Sequence, residues 1–160
     1  GQCMLAPRAE ARTLHDLHIQ PHETVLEVGT GSGFRAALLA RRARRVLSLE
    51  IEPALADIAR SNLAAAGIHN AEVRVADGAR DAAAPGTFDV IVLSGSVATV
   101  PPALLEQIKP SGRLFAVVGS GPMMRATIIT RKNAGLETAQ PWDTVVPRLL
   151  NFAELPHFQF

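Results

Sequence analysis

The sequence predicts an α/β fold, and two observations lead to that prediction. Short apolar segments rich in β-branched residues alternate with helix-like segments through the first two thirds of the chain. Alternation at this spacing is typical of βαβ units, in which a parallel sheet is covered by helices on both faces. The last two strand-like segments are separated only by KNAG, which can hold a hairpin loop but not a crossover helix. We therefore expect a Rossmann-like, doubly wound and mostly parallel seven-stranded sheet that ends in an antiparallel hairpin.

Local signals place the elements in order along the chain. The predicted strands are residues 24–28, 46–49, 71–75, 88–93, 113–118, 126–131 and 136–146. The predicted helices cover residues 33–44, the stretch from Pro53 to a stop at Gly67, and residues 102–108. Pro53 suits the first turn of a helix, Gly67 suits a C-cap, and the third helix ends before Pro110. Apolar residues at helical or alternating spacing support the remaining assignments.

A glycine-rich turn follows the first strand and indicates a nucleotide site. It consists of Gly29, Thr30, Gly31, Ser32 and Gly33. In an open parallel sheet such a turn lies where ligands bind, and glycine lets the backbone approach a ligand closely. The run from Gly31 to Ala36 fits the dinucleotide template G-x-G-x-x-A. The run from Glu27 to Gly33 also fits E-x-G-x-G-x-G, and an acid there suits an ammonium and a sulfonium better than a pyrophosphate.

Acids after the next two strands narrow the choice of nucleotide. Glu50 ends the second strand beside Ile51, where its carboxylate can accept both ribose hydroxyls. Asp77 follows the third strand, where it can accept an adenine amino group, and Gly78 lets the base lie close. Glycines and acids together favour S-adenosylmethionine, although the glycine loop alone leaves a nicotinamide dinucleotide open. The predicted cofactor residues are Glu27, Gly29, Thr30, Gly31, Ser32, Gly33, Glu50, Ile51, Asp77 and Gly78.

Composition limits the domain count and the class of protein. The chain has 160 residues, 48% of them hydrophobic, enough for the core of one domain. Its formal net charge of +1 and its arginine cluster at residues 41–45 give no strong reason to expect nucleic acid. Cys3 is the only cysteine, and Pro21 separates His22 from His15 and His18, so we expect no metal site. Without a signal peptide or an apolar run long enough to span a bilayer, we expect no membrane partner and a cytoplasmic location.

We expect a single domain over residues 1–160. It would comprise an N-terminal substrate-side segment (1–22), a cofactor-binding core (23–150) and a C-terminal tail (151–160). Because the chain starts without a methionine, we expect native residues before Gly1.

Four stretches resemble the protein-L-isoaspartate O-methyltransferase family of class I S-adenosylmethionine-dependent enzymes. They are VLEVGTGSGFRAALLA, VADG, FDVIVLSGSVATVPPALLEQIKPSGRL and the ending VVPRLL, and the likeness runs from about Gly1 to Leu150. The resemblance implies methyl transfer to the free carboxylate of isoaspartyl or D-aspartyl residues, with S-adenosylhomocysteine as product. It implies a protein or peptide as partner and no general base, and it leaves the oligomeric state open.

One departure concerns the acceptor side. The family carries G-Q-T-I-S-Q-P near its amino end, and its serine contacts the substrate carboxylate, whereas this chain has Leu5 at that position. Leucine offers no hydrogen bond, so Ser94 and Ser96, in the predicted loop after the fourth strand, are candidate replacements. The alternatives are a same-fold methyltransferase with another acceptor, a catalytically weak S-adenosylmethionine-binding module, and a nicotinamide-dependent oxidoreductase.

Overall fold

The computed structural model describes residues 6–81 and 84–155. The strands are β1 (Thr24–Val28), β2 (Arg45–Glu50), β3 (Ala71–Val75), β4 (Phe88–Val97), β5 (Ile108–Ser120), β6 (Met123–Lys132) and β7 (Gly135–Asp143). The helices are α1 (Pro7–Leu17), α2 (Phe34–Ala40), α3 (Pro53–Ala65) and α4 (Pro102–Glu106). No helix of these described ranges is both long and apolar enough to cross a bilayer.

The seven strands form one sheet in the order β3-β2-β1-β4-β5-β6-β7. The first five strands pair in parallel, and β6 pairs antiparallel with both β5 and β7. The predicted Rossmann-like sheet with a terminal antiparallel hairpin is thereby confirmed. The β5–β6 pair is antiparallel as well, because only two residues separate these strands.

Helices cover both faces of the sheet, as predicted. Side chains of α1 and α2 pack on one face against β1, β2, β4 and β5, and α3 joins α2 over β3. The opposite face is covered by α4 and by the chain after β7, which contributes the buried Phe152. Alternate residues of β1 supply the two faces, since Val25 lies in the first cluster and Leu26 and Val28 lie in the second.

Several predicted boundaries were wrong: β5 begins at Ile108 rather than at residue 113, β7 ends at Asp143 rather than at residue 146, and two further differences bear on the site. Helix α2 ends at Ala40 rather than at residue 44, because the chain turns back to the sheet, where the Arg44 N–H donates to the Glu23 carbonyl at 2.9 Å. The segment predicted as a loop after the fourth strand belongs to a bulged extension of β4 that reaches Val97. Its backbone pairs with the C-terminal segment: Ser96 N–H donates to Pro147 O, and Leu149 N–H donates to Ser96 O.

The N-terminal helix is fixed to the sheet by partly buried polar contacts. The Arg113 guanidinium on β5 donates to the Leu17 carbonyl at 2.5 and 2.7 Å, and to both carboxylate oxygens of Glu23. The Trp142 indole N–H on β7 donates to Asp16 at 3.0 Å. These contacts satisfy the carbonyls at the end of α1 and fix the position of its first turn, which carries Glu10.

Candidate active site

The strand order reverses between β1 and β4, and a cavity of about 520 Å³ opens beside the carboxyl ends of these strands. This is the place where open α/β sheets bind ligands, and the volume is that of a small-molecule site. Nine of the ten predicted cofactor residues line the cavity, Gly33 being the exception. Whether they hold a cofactor stays a prediction, but the fold brings them together as the sequence indicated.

The glycine loop needs its glycines for two different reasons. Gly29 and Gly31 have φ values of +94° and +55°, a region that L side chains rarely adopt. Both reasons apply to Gly33, because its φ is +85° and a Cβ there would lie 3.2 Å from the Ala59 carbonyl oxygen of α3. Gly33 therefore sets the distance between α2 and α3 and does not line the cavity.

Glu50 links the end of β2 to the glycine loop. Its side chain is almost fully buried, yet it lines the cavity. One carboxylate oxygen accepts the Gly31 N–H at 2.8 Å, and the other accepts the Glu52 N–H at 3.1 Å. Since a carboxylate has about four acceptor positions, each oxygen can accept one more hydrogen bond from a ligand.

Asp77 and Gly78 follow β3 at the same end of the sheet. Asp77 accepts the Ala79 N–H at 3.0 Å and the Asn151 side-chain amide at 2.9 Å. A Cβ on Gly78 would overlap with the side chain of Val28 on β1. Gly78 thus lines the cavity as predicted, but the fold requires glycine there to make room for Val28.

A chain of buried hydrogen bonds runs under the glycine loop from Glu27. Glu27 is fully buried and accepts hydroxyl donors on both oxygens, from Ser48 at 2.6 Å and from Ser94 at 2.8 Å. Ser48 also lies 2.6 Å from the Thr30 hydroxyl. Desolvation raises the pKa of the Glu27 carboxyl to about 7, against the opposing effect of these hydroxyls and of Arg35. Glu27 therefore titrates near neutral pH.

The same chain continues from Ser94 to an ion pair in the cavity wall. Arg35 on α2 donates through Nη1 to Ser94 Oγ at 3.2 Å. Its Nε and Nη2 donate to the Glu10 carboxylate of α1 at 2.8 to 3.0 Å. Both side chains are buried, with relative exposures of 6% and 8%. The sequence did not identify Glu10 or Arg35 as site residues, and their only local signal is a charge within an otherwise apolar helix face.

The segment after β7 forms the remaining wall. Its lining residues are Pro147, Arg148, Leu149, Leu150 and Phe152. Arg148 donates to the Gly119 carbonyl at 3.0 Å and lies 3.1 Å from Glu154, so its charge is already partnered. The amide of Asn151 reaches Asp77 across the end of β3, so this segment spans the cavity from β4 to β3.

The acceptor-side candidates separate in the structure. Ser94 lines the cavity. Ser96 does not: it is fully buried, and its hydroxyl donates to the Val146 carbonyl at 3.0 Å, so it anchors the C-terminal segment. Leu5 lies outside the described residues.

Charge in the cavity lining is predominantly acidic. The lining includes the carboxyl groups of Glu10, Glu27, Glu50 and Asp77, and two guanidinium groups, those of Arg35 and Arg148. Arg35 is neutralised by Glu10, and Arg148 lies near Glu154. The lining therefore favours a cationic ligand over an anionic one.

A family comparison decides the assignment at this point. The model of "Protein-L-isoaspartate(D-aspartate) O-methyltransferase" matches residues 1–146. The chain belongs to this family. Among curated family members, the protein-L-isoaspartate O-methyltransferase of Methanoculleus marisnigri is 38% identical over 138 residues, which are 86% of this chain and 63% of that protein. The enzyme of the same name from Koribacter versatilis is 41% identical over 135 residues, which are 84% of this chain and 60% of that protein. The chain thus spans about three fifths of the length of these relatives.

Solved structures agree on the fold. A Plasmodium falciparum protein assigned to the same family, solved in complex with S-adenosyl-L-homocysteine, superposes with a TM-score of 0.75 at 20% identity. That match covers 89% of this chain and 73% of the other. A second structure, named protein-L-isoaspartate O-methyltransferase, gives a TM-score of 0.76 at 24% identity and covers 89% of this chain and 47% of that one. At these identities the likeness shows the fold alone.

Proposed function

We propose that this chain binds S-adenosylmethionine and transfers its methyl group to the free carboxylate of isoaspartyl or D-aspartyl residues in a protein or peptide. One observation carries the proposal: acids at the carboxyl ends of β1, β2 and β3 surround the glycine loop in a single cavity. Family membership and the S-adenosyl-L-homocysteine bound by the Plasmodium falciparum structure support the choice of cofactor.

The charge of the cavity tests whether this cofactor fits. S-adenosylmethionine carries a sulfonium and an ammonium and has no phosphate, which suits a lining with more acids than bases. A dinucleotide would bring its pyrophosphate close to the glycine loop, where the Gly31 N–H already donates to the buried Glu50 carboxylate. Burying like charges together is costly, so the same lining disfavours NAD.

Each wall then has a role in holding the cofactor. Glu50 would accept the two ribose hydroxyls with the acceptor positions that Gly31 and Glu52 leave, one on each oxygen. Asp77 would accept the adenine amino group once the Asn151 amide yields that position. Apolar side chains beside them suit the adenine ring: Ile51, Leu55, Ile58 and Ala76. The amino-acid end would face Gly29, Gly31 and the Glu27–Ser94 hydrogen bond.

The reaction requires the chain to align the two reactants and to exclude water. When bound, S-adenosylmethionine supplies an activated methyl group, and a carboxylate is already a nucleophile. The step releases no proton and creates no new charge, so it requires neither a base nor a metal. Alignment and desolvation therefore supply most of the acceleration. The wall formed by Pro147, Leu149 and Phe152 would limit water at the reacting atoms.

Leu5 keeps a second candidate open. Because it replaces the serine expected from the family resemblance, a same-fold methyltransferase with another acceptor, or a weak S-adenosylmethionine-binding module, would retain the same cofactor cavity.

Calorimetry with S-adenosylhomocysteine and with NAD, in parallel titrations, tests the cofactor. We expect S-adenosylhomocysteine to bind with a dissociation constant of about 1–100 μM, which is about −8 to −5.5 kcal/mol, and NAD not to bind in that range. Binding of NAD without binding of S-adenosylhomocysteine would contradict the proposal.

A further inference from the structure

A buried ion pair forms part of the cavity wall. Glu10 and Arg35 come from different helices, are more than nine-tenths buried, and are joined by three hydrogen bonds. Such pairs contribute little net stability, because desolvation offsets the attraction, and apolar residues of similar size often replace them without loss. A fold that needed only a closed wall would not require charges here.

The guanidinium of Arg35 retains donors that the protein does not use. Of its five N–H groups, Glu10 binds Nε and one N–H of Nη2, and Ser94 binds one N–H of Nη1. One N–H on each η nitrogen therefore has no partner among the described residues. Two donors on one planar group match the two oxygens of a carboxylate.

The Ser94 hydroxyl is already engaged by two protein groups. It donates to Glu27 and accepts the hydrogen bond from Arg35. A carboxylate entering the cavity would therefore find unused donors on Arg35, whereas it would have to compete with Glu27 for the Ser94 hydroxyl. Arg148, the other lining cation, is more exposed and is engaged with Gly119 and Glu154.

We propose that Arg35 receives the carboxylate of the methyl acceptor, and that Glu10 and Ser94 position its guanidinium. This inference rests on the proposed function, since it presupposes a carboxylate acceptor next to the cofactor. Glu10 keeps the guanidinium from being a lone buried charge in the free protein. The pair then gives the acceptor side a group whose fork can orient a carboxylate, where leucine at position 5 offers none.

The competing interpretation is that Arg35 binds the carboxylate at the amino-acid end of the cofactor. S-adenosylhomocysteine carries that same carboxylate, so its affinity reports on this alternative alone. The acceptor is probed with a fluorescein-labelled hexapeptide that contains one isoaspartyl residue. Its matched control is the same peptide with the free carboxylate of that residue converted to a carboxamide.

Peptide binding is measured by fluorescence anisotropy at saturating S-adenosylhomocysteine, on the wild-type chain, on Arg35→Lys and on Glu10→Gln/Arg35→Gln. The double variant removes both charges, so it leaves no buried charge unpaired. We expect the wild type to bind the acid at least about tenfold more tightly than the amide, and the double variant to lose this preference. Arg35→Lys keeps the charge but not the fork, so it should retain part of the preference. Affinity for S-adenosylhomocysteine should stay within about twofold of wild type in both variants, which also shows that they are folded.

Three results would overturn the inference. The first is an unchanged preference for the acid in the double variant. The second is a parallel fall in S-adenosylhomocysteine affinity, which would assign Arg35 to the cofactor or to the fold. The third is a wild type that binds S-adenosylhomocysteine but does not distinguish acid from amide. Absence of S-adenosylhomocysteine binding in the wild type would instead refute the proposed function, and the inference with it.

Discussion

Replacing Glu50 by alanine tests how the end of β2 serves the cofactor cavity. The change removes the acceptor of the Gly31 N–H at 2.8 Å and of the Glu52 N–H at 3.1 Å. It also removes the two acceptor positions that we assign to the ribose hydroxyls. The variant should therefore bind S-adenosylhomocysteine more weakly and also lose stability.

The structure sets the size of both effects. Hydrogen bonds to a charged group contribute about 1.5–3 kcal/mol each, and water entering the open cavity recovers part of that. We expect cofactor affinity to fall about tenfold to a hundredfold, which is about 1.4–2.8 kcal/mol. The free energy of unfolding should fall by roughly 2 kcal/mol, since two partly buried N–H groups lose their acceptor.

Calorimetry with S-adenosylhomocysteine and urea unfolding measure the two quantities separately. Glu52→Ala is the matched control, because it removes an adjacent exposed carboxylate and keeps the Glu52 N–H, so affinity should stay within about twofold of wild type. If Glu50→Ala loses stability but binds S-adenosylhomocysteine as wild type does, Glu50 only supports the loop and the ribose assignment is wrong.

Three other predictions test separate parts of the site. Gly78→Ala should lower the free energy of unfolding by about 1–3 kcal/mol, because its Cβ would overlap with Val28. Combining it with Val28→Ala should lower that free energy by less than the sum of the two single changes. Additive losses in urea unfolding would contradict the packing role. Burial raises the Glu27 pKa from 4.5 to about 7, so the protonated side chain stabilises the fold below pH 4.5 and that contribution is lost as pH rises to about 7. The stability of wild type relative to Glu27→Gln should therefore fall by roughly 3 kcal/mol across this window, and a pH-independent difference in urea unfolding would show that the Glu27 pKa is ordinary. Asp77→Ala should weaken S-adenosylhomocysteine binding about fivefold or more. Asn151→Ala removes only the contact from the C-terminal segment, so it should not weaken binding. Equal losses of affinity in calorimetry would mean that Asp77 holds that segment and not the adenine.

The sequence predicted those parts of the fold and the cavity whose signals are local. Strand β3 was placed at Ala71–Val75 because alternation along one strand is visible in the chain itself. Glu50 and Asp77 were identified because residues at the carboxyl ends of neighbouring parallel strands meet at one edge of the sheet, whatever the details of packing. The positive φ values of Gly29 and Gly31 likewise belong to a turn that the glycines themselves predict.

Features that depend on distant packing were not predicted. Glu10 meets Arg35 only because α1 lies across the sheet, anchored by Arg113, and nothing near either residue indicates its partner. The segment Ser94 to Ser96 has the composition of a loop, yet it is strand because β5 and the chain after β7 pair with it. Local propensity favoured a turn, and a tertiary hydrogen-bond partner decided otherwise.

Transfer of a radiolabelled methyl group from S-adenosylmethionine to an isoaspartyl peptide tests the central claim most directly. The matched control is the same peptide with a normal aspartyl residue. We predict a base-labile methyl ester on the isoaspartyl peptide, at least about tenfold above the aspartyl control, and none without the 160-residue chain. Equal labelling of the two peptides, or no ester at stoichiometric concentrations of a chain that binds S-adenosylhomocysteine, would contradict it.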